Sequence, residues 1–144
     1  MAEETLGRPP RPFWIISGAA LVWNLIGMAA YVAYVTKSEE VIAAMPEAER
    51  VMYDNPEWVT AVFATAVTAG TIGSILLLLR RGWAVPVLAL SLIAVVVQLI
   101  HLFTMSNAMQ VAGAQSAVMP LLVTVVAAYL VWYSRAAKAK DWLS

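Results

Sequence analysis

Three strongly polar side chains, Asn24, Gln98 and His101, lie within the long apolar stretches of this 144-residue sequence. An amide inside an apolar segment needs a partner, because an unsatisfied amide in hydrocarbon is costly. Such an amide can join two helices through a hydrogen bond of about 0.6–2 kcal/mol, or it can bind a solute. An imidazole at membrane depth can relay protons or sense pH. The isolation of these groups favours helix packing for Asn24 and a hydrogen-bonded position at the membrane interface for His101.

Asn24 and Gln98 are predicted to contact each other. At a rise of about 1.5 Å per residue, Asn24 lies roughly 16 Å along the first apolar run and Gln98 roughly 22 Å along the third. The two runs are predicted to enter the membrane from the same side, so their depths can be compared directly. Each amide lies on a stripe of small and polar residues that faces the bundle interior. We therefore expect an Asn24–Gln98 pair, with His101 one turn farther out and exposed to water.

The residue types needed for most catalytic and metal sites are missing from the sequence. It has no cysteine and one histidine, which excludes disulfides, thiolate zinc sites, iron–sulfur ligation and cysteine nucleophiles. It also lacks a serine–histidine–acid set, paired acids at membrane depth and a glycine-rich phosphate loop. No basic patch for nucleic acid is present either. The sequence therefore predicts a protein that is not an enzyme, needs no cofactor or metal and binds no nucleic acid.

The elements that position the three polar residues are long charge-free runs. The predicted spans cover about 13–35, 58–79, 83–105 and 117–133. Each approaches or exceeds the roughly 20 apolar residues that a bilayer core requires. A cleaved signal peptide is the alternative for the first run, but acids precede it and the run is too long for a signal segment. With 62% hydrophobic and 12% charged residues, the chain is predicted to be an all-α, polytopic membrane protein with a single domain, 1–144.

Basic residues are distributed unevenly between the two sides that four spans create. Seven lie on one side and two on the other: Arg8, Arg11, Arg80, Arg81, Arg135, Lys138 and Lys140 against Lys37 and Arg50. Positive residues in short loops remain cytoplasmic, so the Arg80–Arg81 turn and both termini are predicted to be inside. The acidic loop 37–57 is then outside, where Ser38 and Pro46 are predicted to begin two short amphipathic helices. This topology gives an antiparallel four-helix bundle in the bilayer.

Small residues on the second span form a predicted close-packing face: Ala66, Gly70, Gly73 and Ser74. Gly27 belongs to a comparable face on the first span. Small residues three and four positions apart allow helix backbones to approach closely. The face is therefore predicted to contact another helix, either inside the bundle or in another subunit, whereas Leu77 is expected to face lipid.

Short motifs spread over nearly the whole chain carry a resemblance to other proteins. They are Trp23–Gly27 with Tyr31, Tyr53 with Pro56 and Trp58, Gly70 with Gly73, Leu76–Arg80, Ser91–Leu92 and Val131–Ser134. In these motifs the chain resembles a family of small, four-span bacterial membrane proteins. The resemblance implies a bundle of four helices in the bacterial inner membrane. Members of that family are often labelled sugar transporters.

Two functions are compatible with these features. The favoured one is a non-catalytic accessory or scaffold subunit that packs with itself or with a larger membrane complex. Charge-free spans, small-residue faces and an acidic outer loop suit such protein contacts. The alternative is an oligomeric transporter of a small neutral solute such as a sugar. Asn24, Gln98, His101 and the threonines would then line its path, and Trp23 and Tyr31 would stack on the sugar.

Overall fold

The computed structural model describes residues 7–144, which form helices joined by turns and short connections. Four helices are long and apolar enough to cross a membrane. They are α1 (Arg11–Thr36), α4 (Glu57–Leu78), α5 (Ala84–Thr104) and α7 (Val118–Ala139). The prediction of an all-helical, multi-pass membrane protein is confirmed at this level. Residues 1–6 of the N-terminal segment lie outside the described residues.

Shorter helices occupy the two longer connections between these spans. After α1 come α2 (Glu39–Ala43), α3 (Glu47–Arg50) and a 3-10 turn (Val51–Tyr53); before α7 come α6 (Ala108–Ala112) and a 3-10 turn (Ala114–Ala117). The Ser106 hydroxyl accepts a hydrogen bond from the Ala108 amide at 3.1 Å, which stabilises the start of α6. The uncharged segment between α5 and α7 is therefore mostly helical.

Prolines and one left-handed arginine mark the ends of the long helices. Pro10 precedes α1 and Pro56 precedes α4. Proline is tolerated there because the first amides of a helix have no acceptor within the helix. α7 continues to Ala139, beyond the predicted end at residue 133. After α4, Arg80 takes a φ of 58°, in the left-handed region, and the chain turns into α5.

The long helices pack in chain order, α1 on α4, α4 on α5 and α5 on α7. At the end that carries the α4–α5 turn, which we call the Arg80 end, they meet in an apolar cluster. Its buried members include Phe13, Leu77, Leu88, Leu130 and Leu143. Leu77 has no exposed surface, so the expectation that it faces lipid is wrong. Among the described residues, α1 and α7 approach each other mainly here, where the Phe13 and Tyr133 rings stack at 6.3 Å.

The opposite end of the bundle, which we call the loop end, is covered by the connection after α3 and by α6. A small apolar cluster there contains Val51, Met52, Leu102, Ala108 and Ala117. Tyr34 of α1 stacks on Tyr53 of this connection, with 5.0 Å between the ring centroids. Packed spans, together with Leu143 after α7, therefore close the Arg80 end, whereas the loop end is covered by α6 and by the connection after α3.

Candidate functional site

The contact between α1 and α4 is built around Asn24. Its amide nitrogen donates to the Ser74 hydroxyl at 3.1 Å and to the Ala20 carbonyl, one turn back, at 2.8 Å. Ser74 in turn donates to the Gly70 carbonyl at 2.8 Å. Both amide hydrogens of Asn24 are therefore engaged within α1 and between α1 and α4.

The side-chain partner of Asn24 is Ser74, so the predicted direct pair with Gln98 is not formed. Depth along a helix indicates how far a group lies from the membrane surface, but it does not indicate which helices are neighbours. α4 packs against α1 and offers the Ser74 hydroxyl, whereas α5 packs against α4 and α7. The sequence signal for this partner was a hydroxyl on the small-residue face of α4. Asn24 and Gln98 instead line the same cavity.

The small-residue face of α4 is used inside the bundle. A Cβ added to Gly70 would overlap the Asn24 side-chain oxygen and would lie 3.2 Å from the Ser91 hydroxyl. A Cβ added to Gly73 would lie 2.6 Å from a leucine side chain of α5. Of the two alternatives for this face, a contact inside the bundle or in another subunit, the structure supports the first.

Gly27 and Ala66 also lie at contacts inside the bundle, and Gly27 is packed less tightly than Gly70 and Gly73. A Cβ on Gly27 would lie 3.5 Å from the Val67 side chain, which is ordinary van der Waals contact. Ala66 is buried, and its carbonyl accepts a hydrogen bond from the Ser91 hydroxyl at 2.8 Å. That bond joins α4 to α5, just as the Asn24–Ser74 bond joins α1 to α4.

A cavity of about 290 Å³, which we call the central cavity, lies between the four long helices beside these contacts. Asn24, Ser91 and Gln98 supply its amide and hydroxyl groups, and most of the remaining wall is apolar. Leu88 and Leu130 belong both to this wall and to the apolar cluster at the Arg80 end. The central cavity therefore stops at that cluster.

A second cavity of about 340 Å³, which we call the loop-side cavity, lies beneath the connection that follows α3. Its amide, hydroxyl and imidazole groups come from Tyr34, Tyr53, Asn55, Thr60, Gln98, His101 and Ser106. Asn55 donates to the Tyr34 hydroxyl at 3.0 Å and to the Met52 carbonyl at 2.9 Å, which holds the connection against α1. Gln98 lines both cavities, so they adjoin at this residue.

The Gln98 side chain has no hydrogen-bond partner within residues 7–144, although it is only partly exposed. A glutamine amide carries two donor hydrogens and an acceptor oxygen. These atoms stay accessible from the cavities, because Ser17 Oγ is the one buried side-chain polar atom without a partner among residues 7–144. Gln98 is therefore the amide of this site that remains free to bind another molecule.

His101 is buried, with 6% of its surface exposed, and packs edge-to-face on Trp58 with ring centroids 5.4 Å apart. Its ring nitrogens have no hydrogen-bond partner within the described part of the chain. The prediction that His101 is exposed to water is therefore wrong. A depth count along α5 does not include the segments outside the spans, and these cover the end of the helix where His101 lies.

The two aromatic residues predicted to stack on a sugar are not brought together. Trp23 lines the central cavity, whereas Tyr31 packs edge-to-face on Phe63 at 5.2 Å and lines neither cavity. Thr65 and Thr71 donate to carbonyls of their own helix, as side chains in membrane helices commonly do. Thr60 lines the loop-side cavity, but Thr65, Thr68 and Thr71 line neither cavity, so a continuous polar path along the threonines is not formed.

Family models, curated proteins and solved structures give no match to this chain. What the site can bind is therefore inferred from its own residues. Among the described residues, neither cavity has an aspartate, glutamate, lysine or arginine in its wall. Within residues 7–144, no group of three or more histidine, cysteine, aspartate or glutamate residues could hold a metal ion. The site therefore suits an uncharged molecule that accepts or donates a few hydrogen bonds.

Arg80 makes contacts that a count of positive charges does not predict. Its guanidinium donates to the Gly7 carbonyl at 2.6 Å and to the Trp142 carbonyl at 2.8 Å. Its own carbonyl accepts from the Ser144 amide at 2.8 Å. Arg81, which the charge count treats as equivalent, is exposed. Arg80 therefore ties the residue segments before α1 and after α7 to the α4–α5 turn and helps to close this end of the bundle.

Proposed function

We propose that this protein binds a small uncharged molecule within its helical bundle and performs no catalysis. The observation that carries the proposal is the Gln98 amide, which lies where the two cavities adjoin and has no hydrogen-bond partner among the described residues. A bound molecule can supply the missing hydrogen bonds. Ligand sites usually combine mostly apolar walls with a few polar groups in cavities of about 300–1,000 Å³. The adjoining cavities fit that description.

The lining favours a molecule with few hydrogen-bonding groups over a sugar. A sugar ring carries several hydroxyls, and each needs a partner when it leaves water. In the central cavity the amide hydrogens of Asn24 and the hydroxyl hydrogen of Ser91 already bond to the protein. The four-span bacterial family that the chain resembles is often labelled as sugar transporters. For this chain we propose an uncharged, mostly apolar ligand in place of a sugar.

The proposed setting is the bacterial inner membrane, with an antiparallel bundle and both termini in the cytoplasm. Seven basic residues at the Arg80 end and the termini, against two in 37–57, support this orientation. The antiparallel order is supported by the apolar cluster, which joins the start of α1 to the end of α4 and the start of α5 to the region after α7. α2 and α3 then lie outside, along the membrane surface.

An accessory or scaffold subunit is the second candidate function. The specific observation in its favour is the sparse burial of the outer spans: 11% of the apolar window is buried in α1 and in the last span, against 39% in α4 and 33% in α5. Such faces can pack against a second copy or against a larger membrane complex. The small-residue face of α4 no longer supports this candidate, because it is occupied inside the bundle.

Thermal unfolding of the protein in lipid nanodiscs, in the presence of a panel of uncharged compounds, tests the binding proposal. The panel contains hexoses, polyols and neutral amphiphiles. At least one compound should raise the unfolding temperature of the wild type, and Gln98→Leu should remove that shift. Gln110→Leu is the matched control, since Gln110 is an exposed residue of α6 and lines neither cavity.

The outcome separates the two candidates. A panel without any stabilising compound, or an equal shift in Gln98→Leu, would contradict ligand binding at this site. In that case, co-purification of a stoichiometric membrane partner in mild detergent would support the accessory function. A protein that binds a panel compound and runs as a lone species would support the binding function.

A further inference from the structure

We infer that the ligand is a neutral amphiphile with a single apolar chain, and that it enters from the bilayer between α1 and α7. Its head would lie beside Gln98 and His101, and its chain would lie in the central cavity. This inference rests on the proposed function, because it assigns a ligand class to the same site. It is carried by the lateral opening of the central cavity, by the distribution of polar groups and by the absence of charge in the cavity walls.

The central cavity opens toward the bilayer between the first and last spans. Ile26 of α1 and Met119 of α7 both line it, and they are 62% and 59% exposed. Among residues 7–144, α1 and α7 make few contacts with each other, and the ring pair Phe13–Tyr133 between them lies at the Arg80 end. A hydrocarbon chain can therefore pass from the surrounding lipid into the cavity without crossing a polar barrier.

Polarity rises along the two cavities from the Arg80 end to the loop end. Deep in the central cavity, the donor hydrogens of Asn24 and Ser91 are already bonded to the protein. The free groups, Gln98 and His101, lie at the junction and in the loop-side cavity. A molecule that satisfies both regions has an apolar part beside the bonded residues and a hydrogen-bonding part beside the free ones. That molecule is an amphiphile.

The head must be uncharged, because the part of the chain that the structure describes places no lysine or arginine in the cavity walls to pair with a phosphate or carboxylate, and no acid to pair with an amine. Burying an unpaired ion is far more costly than burying a hydrogen-bonded hydroxyl. The Gln98 amide both donates and accepts, so hydroxyls that do the same are suitable partners. A monoacylglycerol, with one chain and two head hydroxyls, has this chemistry.

Photolabelling in phosphatidylcholine nanodiscs tests the inference. The probe is a monoacylglycerol with a diazirine on its acyl chain, and the control probe is a lysophosphatidylglycerol with the same chain. The neutral probe should label peptides around Ile26 and Met119, and an excess of unlabelled monoacylglycerol should suppress that labelling. The anionic probe should label these peptides no more than it labels other lipid-facing surface.

Two variants and their controls relate the labelling to the site. Gln98→Leu should lower specific labelling roughly tenfold, which corresponds to one hydrogen bond of ordinary strength, while Gln110→Leu should leave it unchanged. Ala30→Trp, on the exposed wall of the cavity opening, should block labelling without a change inside the bundle. Ala29→Trp is its matched control, because Ala29 is equally lipid-facing but does not line the cavity.

Each possible result bears on the inference. Equal labelling by both probes, or labelling that Ala30→Trp and Ala29→Trp affect alike, would overturn it. If glycerol or another head compound alone stabilises the protein and the chain labels no cavity peptide, the inference fails while the proposed binding function stands. If neither head compounds nor amphiphiles stabilise the protein and no specific labelling occurs, both fail.

Discussion

Gly70→Ala tests the closest contact between α1 and α4, because the added methyl group would occupy the position of the Asn24 side-chain oxygen. In an open helix, glycine to alanine stabilises by about 0.5–1 kcal/mol. Here the Asn24 side chain must move away from Gly70, which costs about 1–3 kcal/mol as overpacking. The move also weakens its bond to Ser74, a loss of about 0.6 kcal/mol or more. We expect a net loss of about 0.6–3 kcal/mol.

Asn24→Ala should rescue this variant. The single substitution removes the bond to Ser74, at a cost of about 0.6–2 kcal/mol. It leaves the Ser74 hydroxyl satisfied, because that group donates to the Gly70 carbonyl. In the double variant the alanine methyl of position 70 enters the space that Asn24 has vacated. The double variant should therefore lose less than the sum of the two single variants, by about 1–2 kcal/mol.

Gly18→Ala is the matched control, since a Cβ on this helical glycine of α1 would meet nothing within 4 Å. It should gain stability by about 0.5–1 kcal/mol. The free energies of unfolding can be compared by titration with a denaturing detergent in mixed micelles, followed by far-UV circular dichroism. If Gly70→Ala is as stable as Gly18→Ala, or if the Asn24 and Gly70 effects simply add, the close contact deduced from the structure is refuted.

Two further predictions concern the Arg80 end and the orientation of the chain. Arg80→Lys should lower the unfolding free energy by about 1–3 kcal/mol, because lysine keeps the charge but cannot reproduce the forked pair of bonds to the Gly7 and Trp142 carbonyls. Arg81→Lys, at an exposed position, should change it by less than about 0.5 kcal/mol, and equal losses in the same unfolding assay would contradict the contact. For the proposed orientation, a cysteine at exposed Glu47 should react with an impermeant reagent in intact cells and one at exposed Ala139 should not; the reverse pattern would overturn it.

The long helices were predictable from the sequence because their signal is local. A run of about 20 residues without charge has few alternatives to crossing a bilayer, whichever helices later become its neighbours. The structure accordingly keeps α4 and α5 close to the predicted 58–79 and 83–105. The contact partners of these helices could not be predicted in the same way, because they depend on which helices become neighbours in the bundle. Asn24 illustrates this, since its depth was predictable and its bond to Ser74 was not.

The same limit explains the errors at the two ends of the bundle. Hydropathy and charge rules describe a span against a uniform membrane, so they treat His101 as interfacial and the two arginines of the α4–α5 turn as equal. Both outcomes depend on segments outside the spans. The loop end is covered by α6 and by the connection that follows α3. At the other end, the backbone carbonyls of Gly7 and Trp142 accept hydrogen bonds from Arg80. No local pattern in the sequence specifies these distant contacts.

The two ends of the bundle also bear on the choice between binding and translocation. A path through the bundle to the Arg80 end would have to separate Phe13, Leu77 and Leu143, which are 0%, 0% and 4% exposed. It would also have to release the segments that Arg80 ties together. By contrast, the central cavity already opens between α1 and α7 toward the bilayer. A molecule that enters and leaves through that opening stays in the membrane, so the geometry favours a site that holds a membrane-borne ligand over a path that carries a solute across.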